Sequence, residues 1–566
     1  LHTKKSKTMN KTYRLVWCSF RNAWIAVSEL SKSKTKSSKT RTIGSVIAAG
    51  LMLTFSAGAF AYVAPNDICQ PNPAPNQQNT TNSFYGQNIV CDWNTTYSTL
   101  VGNNITAAGN SVNLVAVGNN ISTGGERSTV LGSRIIHSGR FTTVIGQNIK
   151  SRTEHSIVMG EDTTIDGGNY DISIGGNQNI LNSQHTVALG NNIKTSGSLT
   201  SLAAGNDTTI TNSRLATAVG DRTSVTDSTG SSAFGAGSSI IKADHSTAVG
   251  AKASVNESHS SFAGGENASI TGGYGNIAIG FTSTVSNTFG SSAIGYQSSV
   301  TGNSRGMALG TQAKVTDSDR GTALGASASV TNSASASASG NNASVTDSSY
   351  AQADGAGAKV TSSKSATAVG NDAIVTNSGS ATAVGNGANI TNSASSVAVG
   401  QSASVTNSNV STASGYKAKI TDSYQAQAYG TGNSIANSNQ ASAFGVNSSI
   451  TSSASGVAIG NNAKLNSAAD GIAIGSSANV TSVANGIAIG KNAAVTTENS
   501  VALGANSTTS NAVATESATV GSITYGGFAG KSPVGVVSVG SQGKERQITN
   551  VAAGQITANS TDAING

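Results

Sequence analysis

Three histidines share one spacing and are the residues of this chain best suited to metal or proton chemistry. His155, His185 and His245 each lie five positions before a regularly spaced glycine, so stacked repeats would place them in one column. A column of imidazoles could bind a metal ion or respond to pH. Because the first two are two repeats apart, about 10 Å at strand spacing, and no carboxylates share their register, we predict no metal site.

Other reactive side chains form no recognisable catalytic set. The aspartates Asp227, Asp317, Asp347 and Asp422 recur in one column beside Asn and Ser, which is typical of turn formers. They do not form the Gly/Asp nonapeptide of calcium-binding β-rolls. Glycine pairs such as Gly235 and Gly237 belong to the repeat and are no nucleotide fingerprint. The sequence therefore predicts no catalytic residue, no cofactor and no enzymatic activity.

A 15-residue repeat positions all of these residues. From Gly160 to Gly490, 23 glycines recur every 15 residues without a gap. Five residues after each glycine lies an aliphatic residue in all positions except Thr195, and alanine lies two residues before each glycine from Ala188 to Ala488. Representative repeat glycines, which we expect in turns, are Gly160, Gly175, Gly190, Gly370, Gly385, Gly400 and Gly490.

A period of 15 residues fits two short strands and two turns. Helical repeats need about 30 residues or more, and Gly, Thr and Val disfavour helix. Stacked coils then give an all-β parallel solenoid of about 28 coils, each roughly 4.8 Å above the last. We expect its core to contain the aliphatic residues of both strands, represented by Val375, Ile390, Val405, Ile474, Ile489 and Leu503.

The strict alanine column allows two interpretations. Alanine is required wherever another backbone approaches closely, either within the coil itself or between parallel solenoids packed side by side. Identical units repeated along a rod favour a symmetric oligomer. We therefore place a possible oligomer interface at this column, represented by Ala368, Ala383, Ala398 and Ala488.

The middle coils have weaker apolar character. The flanks of the alanine are both polar in Gln352-Ala353-Asp354. An inward Asp354 would be a buried carboxylate, which is costly unless it is paired or protonated. We therefore expect this coil to be distorted or locally open.

The first 61 residues have the properties of a secretory leader. They contain 11 Lys/Arg and one acid, so their net charge of +10 leaves about −3 for the rest of a chain whose total is +7. The basic pI therefore belongs to the leader and does not indicate nucleic-acid binding. An apolar stretch ends at Ala59-Phe60-Ala61, which predicts signal cleavage at these small residues; the alternative is a retained membrane anchor.

Two cysteines remain after the leader. Cys69 and Cys91 flank a segment containing Pro71, Pro73 and Pro75, which we do not expect to form a regular element. In an oxidising compartment they could form a disulfide worth about 3 kcal/mol. Two free thiols are equally compatible with the sequence.

Leader, repeats and C-terminal segment together resemble one protein family. The spacing of Tyr13, Arg14, Trp17, Trp24 and Glu29 is similar to the extended signal peptide of large type V secreted proteins, with the start at Met9 and residues 1–8 upstream of it. Coils such as Gly486-Ile-Ala-Ile-Gly490 resemble the head repeat of YadA-like trimeric autotransporter adhesins. The segment from Val537 to Gly554 resembles that family's neck; the matching positions are Lys544, Arg546, Gln547, Asn550, Ala552 and Gly554.

The resemblance implies a left-handed parallel β-roll, a homotrimer, and display on the outer membrane of a Gram-negative bacterium. The organisation we expect is a signal peptide at 1–61, an N-terminal segment at 62–98, a head at 99–507, a connector at 508–536 and a neck at 537–566. No heptad stalk or membrane strands follow, so we interpret the chain as a fragment or truncated product. Contact with the membrane would then depend on an anchor outside it.

The function implied is adhesion to host matrix proteins or cell-surface receptors, or to the same adhesin on sister cells in autoaggregation and biofilm. Two other functions remain open. Thr often follows the aliphatic column, as in Thr376 and Thr391, which is compatible with an ice- or other surface-binding solenoid. A two-partner-secreted filament is the other alternative, and the neck argues against it.

Overall fold

The computed structural model describes residues 82–92, 94–302 and 304–565, and the backbone of two strands, Tyr13–Cys18 and Ala23–Ser28. The chain divides into two units, Leu1–Tyr62 and Val63–Gly566. In the first unit, the two strands pair antiparallel, with Tyr13 opposite Ser28. The predicted cleavage residues Ala59 and Ala61 lie outside the described residues. No helix long and apolar enough to span a membrane occurs in the part of the chain that the structure describes.

The second unit is a parallel β-solenoid of about 28 turns, as predicted. Each coil from Gly160 onward contains a first strand, which precedes the repeat glycine, and a second strand, which follows it. Each strand pairs in parallel with its counterpart in the next coil, so that Ala383 lies beside Ala398 and Ile390 beside Val405.

The strands are long at the N-terminus and short thereafter. The N-terminal strands are Ser83–Cys91, Thr99–Ala107, Val115–Thr123, Thr129–Ser138 and Thr143–Glu154. The first strands are Ile157–Glu161, Ile172–Gly176, Val187–Asn191, Leu202–Asn206, Thr217–Val219, Ser232–Phe234, Thr247–Val249, Phe262–Gly264, Ile277–Ile279, Ser292–Ile294, Met307–Leu309, Thr322–Leu324, Ser337–Ser339, Gln352–Asp354, Thr367–Val369, Thr382–Val384, Val397–Val399, Thr412–Ser414, Gln427–Tyr429, Ser442–Phe444, Val457–Ile459, Ile472–Ile474, Ile487–Ile489 and Val501–Leu503. The second strands are Thr164–Asn169, Asn179–Leu181, Lys194–Ser196, Thr209–Thr211, Ser224–Thr226, Ser239–Ile241, Ser254–His259, Ser269–Tyr274, Thr284–Phe289, Ser299–Thr301, Lys314–Thr316, Ser329–Thr331, Ser344–Thr346, Lys359–Thr361, Ile374–Thr376, Asn389–Thr391, Ser404–Thr406, Lys419–Thr421, Ser434–Ala436, Ser449–Thr451, Lys464–Asn466, Asn479–Thr481 and Ala494–Val495.

The core is thin and contains a different residue type from each strand. Side chains alternate between the two faces of a strand, and the second strand turns its aliphatic column inward: Val375, Ile390 and Val405 are fully buried. The first strand turns its alanine inward, and Ala383 is also fully buried. In most coils a large side chain of the second strand thus accompanies a small one of the first, while the N-terminal coils bury a larger residue such as Val144 or Val158 at the alanine position.

The repeat glycines are required by the stacking of the coils. All seven representatives have φ between 130° and 150°, in the region that disfavours side chains. A Cβ atom built on Gly385 would lie 2.5 Å from the carbonyl oxygen of Gly400 in the next coil. The column is therefore glycine because the neighbouring backbone occupies the space of a side chain.

The ladder begins earlier than the sequence indicates. Ser83–Cys91 pairs with Thr99–Ala107, so a segment that we expected to be irregular already contains a strand of the solenoid. Cys91 forms a disulfide, and Cys69, its predicted partner, lies outside the described residues.

The C-terminal region continues the same ladder after an insertion. The connector contains an antiparallel hairpin, Ser517–Val520 with Ile523–Gly526. The strand Val537–Ser538 then pairs in parallel with Val501–Leu503. The start of the predicted neck thus lies on the last coil.

Candidate functional site

An apolar stripe runs along the outer face of the first strands. It consists of the residues three and one positions before each repeat glycine, and we call it the lateral stripe. In many coils the first of these two is Ser or Thr, as at Thr217, Thr367 and Thr382. Its large exposed members are Val115, Val117, Ile157, Ile174, Leu189, Phe234, Val249, Phe262, Ile277, Ile279, Met307, Leu309, Leu324, Val399, Tyr429, Ile459, Ile474, Ile489 and Leu503.

The lateral stripe corrects two expectations from the sequence. Ile474, Ile489 and Leu503 do not line the core; they face outward with 36%, 37% and 45% of their surface exposed. The four representative interface alanines, Ala368, Ala383, Ala398 and Ala488, are instead fully buried inside their own chain. The faces are exchanged because alanine occupies the inward position of the first strand in these coils, opposite the second-strand Val and Ile. The surface available to a neighbouring chain is therefore the pair of flanks.

The stripe changes character in the middle of the solenoid. Ser337, Ser339, Gln352 and Asp354 occupy its positions in two successive coils, and Gln352 and Asp354 are exposed. Asp354 is not a buried carboxylate, and its coil is not distorted, because it stays in register with Val369 of the next coil. The polar residues interrupt the apolar face and leave the core unchanged.

A buried serine ladder follows the turn after the second strand, and sequence reasoning missed it. Ten consecutive coils place a fully buried serine there, from Ser318 to Ser453. Each hydroxyl accepts a hydrogen bond from the backbone N–H of the same column in the next coil, at 2.8–3.0 Å. The hydroxyl also donates to the carbonyl two residues earlier, as Ser378 does to Thr376 at 2.7 Å. The sequence does contain a signal for this ladder, namely a serine at the same position of ten successive repeats. Because serine is also common in exposed turns, the column was not recognised as buried.

The predicted turn aspartates lie where turn formers are expected. Asp227, Asp317, Asp347 and Asp422 have φ of 47–49°, the left-handed region that Asp and Asn tolerate. Three of them accept a hydrogen bond from an asparagine of the preceding coil; the pair Asn407 and Asp422 is separated by 3.0 Å. These side chains form polar ladders at the turns.

The histidine column forms an aromatic stack. Tyr170 lies between His155 and His185, with ring centroids 4.7 Å and 5.1 Å apart, and Phe141 stacks on His155 at 4.8 Å. The imidazoles are thus separated by a tyrosine ring, and His245 lies further along the column. Within the described residues, no group of three or more His, Cys, Asp or Glu is arranged to hold a metal ion.

Two ionisable groups lie in the core, and sequence reasoning missed both. His137 is 2% exposed, and burial lowers the pKa of its imidazole from 6.5 to about 4, against the opposing effect of the Ser151 and Gly139 backbone. Asp171 is fully buried, and burial raises the pKa of its carboxyl from 3.8 to about 6, although the Thr186 N–H donates to it at 2.8 Å. Both residues occupy columns that in neighbouring coils carry smaller polar residues.

The neck arginine closes the C-terminal end of the solenoid. The Arg546 guanidinium donates to the carbonyl oxygen of Val539 at 2.7 Å and to that of Ala505 at 2.5 Å. It lies against Gly504, where a Cβ atom would be 3.1 Å from Cζ. Arg546 therefore joins the neck to the last coil, since it donates to one carbonyl oxygen of each.

The other predicted neck residues have separate positions. Lys544, Gln547, Asn550 and Ala552 are exposed. Gly554 is partly buried, and a Cβ atom there would meet the carbonyl oxygen of Ala563 at 2.6 Å.

Comparison with known proteins gives three matches, each to part of the chain. Residues 9–58 match the family described as the extended signal peptide of the type V secretion system. A stretch of 62 residues is 56% identical to the autotransporter adhesin BtaE of Brucella suis; it covers 11% of this chain and 8% of that protein's length. A solved C-terminal YadA-like domain from Burkholderia pseudomallei is 47% identical over 17% of this chain and 45% of that one, with a TM-score of 0.16.

The family match agrees with the leader described above. The leader has the signal of type V secretion, and the chain is exported across the inner membrane to the surface of a Gram-negative bacterium. Part of the chain is similar to an autotransporter adhesin, of whose length it spans 8%.

Proposed function

We propose that this solenoid is the binding head of an adhesin and that three copies pack lengthwise through the lateral stripe. In this arrangement it attaches the bacterium to host matrix proteins or cell-surface receptors, or to the same adhesin on sister cells, in autoaggregation and biofilm. The role is binding rather than catalysis.

The lateral stripe is the observation that carries the trimer. A soluble protein rarely leaves so long an apolar surface uncovered unless it is an interface. Residues such as Ile474, Ile489 and Leu503 keep more than a third of their surface exposed in the single chain. Covering each by a neighbouring chain would contribute about 1 kcal/mol, and the repetition along the stripe multiplies that contribution.

The repeated outer surface supports adhesion through many weak contacts. Once one contact forms, the others on the same rod bind as if at high effective concentration, so avidity exceeds the affinity of any single contact. Three parallel chains would triple the number of contacts. This mode of binding requires no deep pocket.

A binding screen tests the proposal. The purified chain is applied to immobilised collagen, fibronectin and laminin and to a layer of the same protein, beside a variant with Ile474→Lys and Ile489→Lys. We expect the wild-type chain to bind at least one surface and the variant, which cannot pack laterally, to lose most of its avidity. A wild-type trimer that binds neither matrix nor itself and does not clump bearing cells would contradict the adhesive role.

Ice or mineral binding is the second candidate, because of a regular threonine array. Nine successive coils, from Thr301 to Thr421, place threonine on the outer face of the second strand. Three of the nine hydroxyls, those of Thr316, Thr361 and Thr421, are buried without a hydrogen-bond partner, so they are not presented at the surface. A crystal surface requires an uninterrupted flat array, so we favour adhesion. A measurement of thermal hysteresis separates the two functions. A freezing temperature below the melting temperature in solutions of the purified chain supports ice binding, and equal temperatures support adhesion.

A further inference from the structure

We propose that the corner of the solenoid at Phe289 binds one pyranose ring of a surface glycan. This inference rests on the proposed adhesive function and assigns it a ligand class. The corner is the turn between a second strand and the first strand of the next coil. It differs from the equivalent corners along the rod in its backbone, its buried support and its cavity.

Strand pairing continues further into this corner than in most other coils. Three second strands, Ser254–His259, Ser269–Tyr274 and Thr284–Phe289, continue into the turn, and their pairing extends to Tyr274 beside Phe289. The next second strand, Ser299–Thr301, ends before the turn, and only an isolated bridge joins Phe289 to Ser304. The extended strand pairing therefore ends in a step after Phe289.

Buried hydrogen bonds stabilise this corner. Asn276 occupies a core column where the adjacent coils have Ser261 and Ser291, and it is fully buried. Its side-chain oxygen accepts from the Thr288 hydroxyl at 2.9 Å and from the Ser291 N–H at 3.0 Å, and its amide donates to the Thr288 carbonyl at 3.0 Å. The step is thus fixed by the core and does not depend on flexible surface side chains.

A shallow cavity of about 350 Å³, largely open to solvent, lies at the step. This volume is at the lower end of small-molecule sites and suits one sugar ring. The lining residues are Gly273, Asn287, Thr288, Phe289, Gly302 and Ser304. Gly302 occupies the column where the preceding coil has Asn287, and the Asp317 carboxylate of the next coil reaches into the space that a Gly302 side chain would fill.

The chemistry of the cavity matches a pyranose. The Phe289 ring is 52% exposed and stacks on Tyr274 on one side, with centroids 5.7 Å apart. On the other side the column continues with Ser304, whose side chain is too small to cover the ring. The C–H face of a sugar packs on such an aromatic face, while the Asn287 amide and the Ser304 hydroxyl can exchange hydrogen bonds with sugar hydroxyls.

Two variants and one control test the site in the full chain on a glycan array and in titrations with the sugars that bind. Ser304→Phe continues the aromatic column and fills the cavity, and Phe289→Ala removes the ring face; we expect each to weaken glycan binding at least tenfold. The control is Phe281→Ala. Phe281 belongs to another exposed stacked pair, 5.5 Å from Tyr296, but lies at the corner that follows the first strand. This variant should bind glycans like the wild type.

The outcomes separate this site from the adhesive function. Loss of glycan binding in Ser304→Phe, with the circular-dichroism spectrum and molar mass of the wild type, supports the site. Adhesion to cells or matrix with unchanged glycan binding in both variants overturns the site and leaves the adhesive function standing. Competition by a proline-rich peptide but by no sugar also overturns it. Sugar binding that depends on Phe289, in a chain that adheres to no cell or matrix, supports the site and counts against adhesion.

Discussion

Removing one hydroxyl from the serine ladder tests how the coils are held together. Ser378 lies in the middle of the ladder, where its hydroxyl donates to the Thr376 carbonyl at 2.7 Å and accepts from the Ser393 N–H at 2.8 Å. The substitution Ser378→Ala leaves both backbone groups in place and removes their partner. The methyl group that remains fits the site, since Ala243 and Ala468 occupy the same column and are fully buried.

The expected cost follows from the two lost bonds. A buried donor or acceptor left without a partner costs about 1–3 kcal/mol. The Thr376 carbonyl can accept other hydrogen bonds, so the Ser393 N–H bears most of the loss. We expect local destabilisation of about 2 kcal/mol, which corresponds to roughly 30-fold faster opening of that coil.

Amide hydrogen exchange measures this effect locally. Exchange of the Ser393 N–H in Ser378→Ala should be roughly 30-fold faster than in the wild type, because local opening controls exchange in such coils. The matched control is Ser404→Ala, since Ser404 lies on the outer face of a nearby second strand, and it should leave Ser393 unchanged. Equal protection of Ser393 in all three proteins would refute the reasoning that the ladder stabilises the stack.

Three further predictions concern the stripe, the core and the C-terminal end. Asp354→Val makes the lateral stripe apolar where it is now polar, so the thermal midpoint of the assembled protein should rise; a fall would contradict burial of the stripe between chains. His137 has a folded pKa of about 4 against 6.5 ordinarily, so the unfolded chain binds the proton first. Relative to His137→Asn, the wild type should therefore lose about 3 kcal/mol of stability as the pH falls from above 6.5 to 4. Urea unfolding of both proteins at each pH measures this difference, because the opposite effect of the raised Asp171 pKa is common to both and cancels. Arg546→Ala removes the donors to the Val539 and Ala505 carbonyls, so exchange in the last coil should accelerate at least tenfold while Ser393 stays protected.

The sequence was sufficient to predict the stack of coils but not which way each strand faces. The period of 15 and the column containing Ile390 predict parallel stacking with the second-strand aliphatics inside, and Ile390 is fully buried. In the first strand, the residues of both faces are apolar, as in Ile487-Ala-Ile489. A shift of one residue exchanges the two faces of a strand, and only the thickness of the core decides that Ala488 is inside and Ile489 outside.

The candidate sites were predictable only in part, because the repeat gives the column of each residue but not the local packing around it. Once the period is known, the column of Tyr274, Phe289 and Ser304 follows from residue numbers. The cavity does not, because it depends on the buried hydrogen bonds of Asn276 with Thr288 and Ser291. The serine ladder was hidden because Ser is common both in exposed turns and, here, at buried hydrogen-bonding positions such as Ser393.

The most direct test of lateral assembly is the molar mass of the secreted chain in solution, measured by light scattering for the wild type and for Ile474→Lys with Ile489→Lys. Packing through the lateral stripe predicts three chains for the wild type and a lower mass for the variant, with the β-type circular-dichroism spectrum kept in both. A monomeric wild-type chain, or a variant whose mass equals that of three chains, would contradict the assignment of the stripe as the interface.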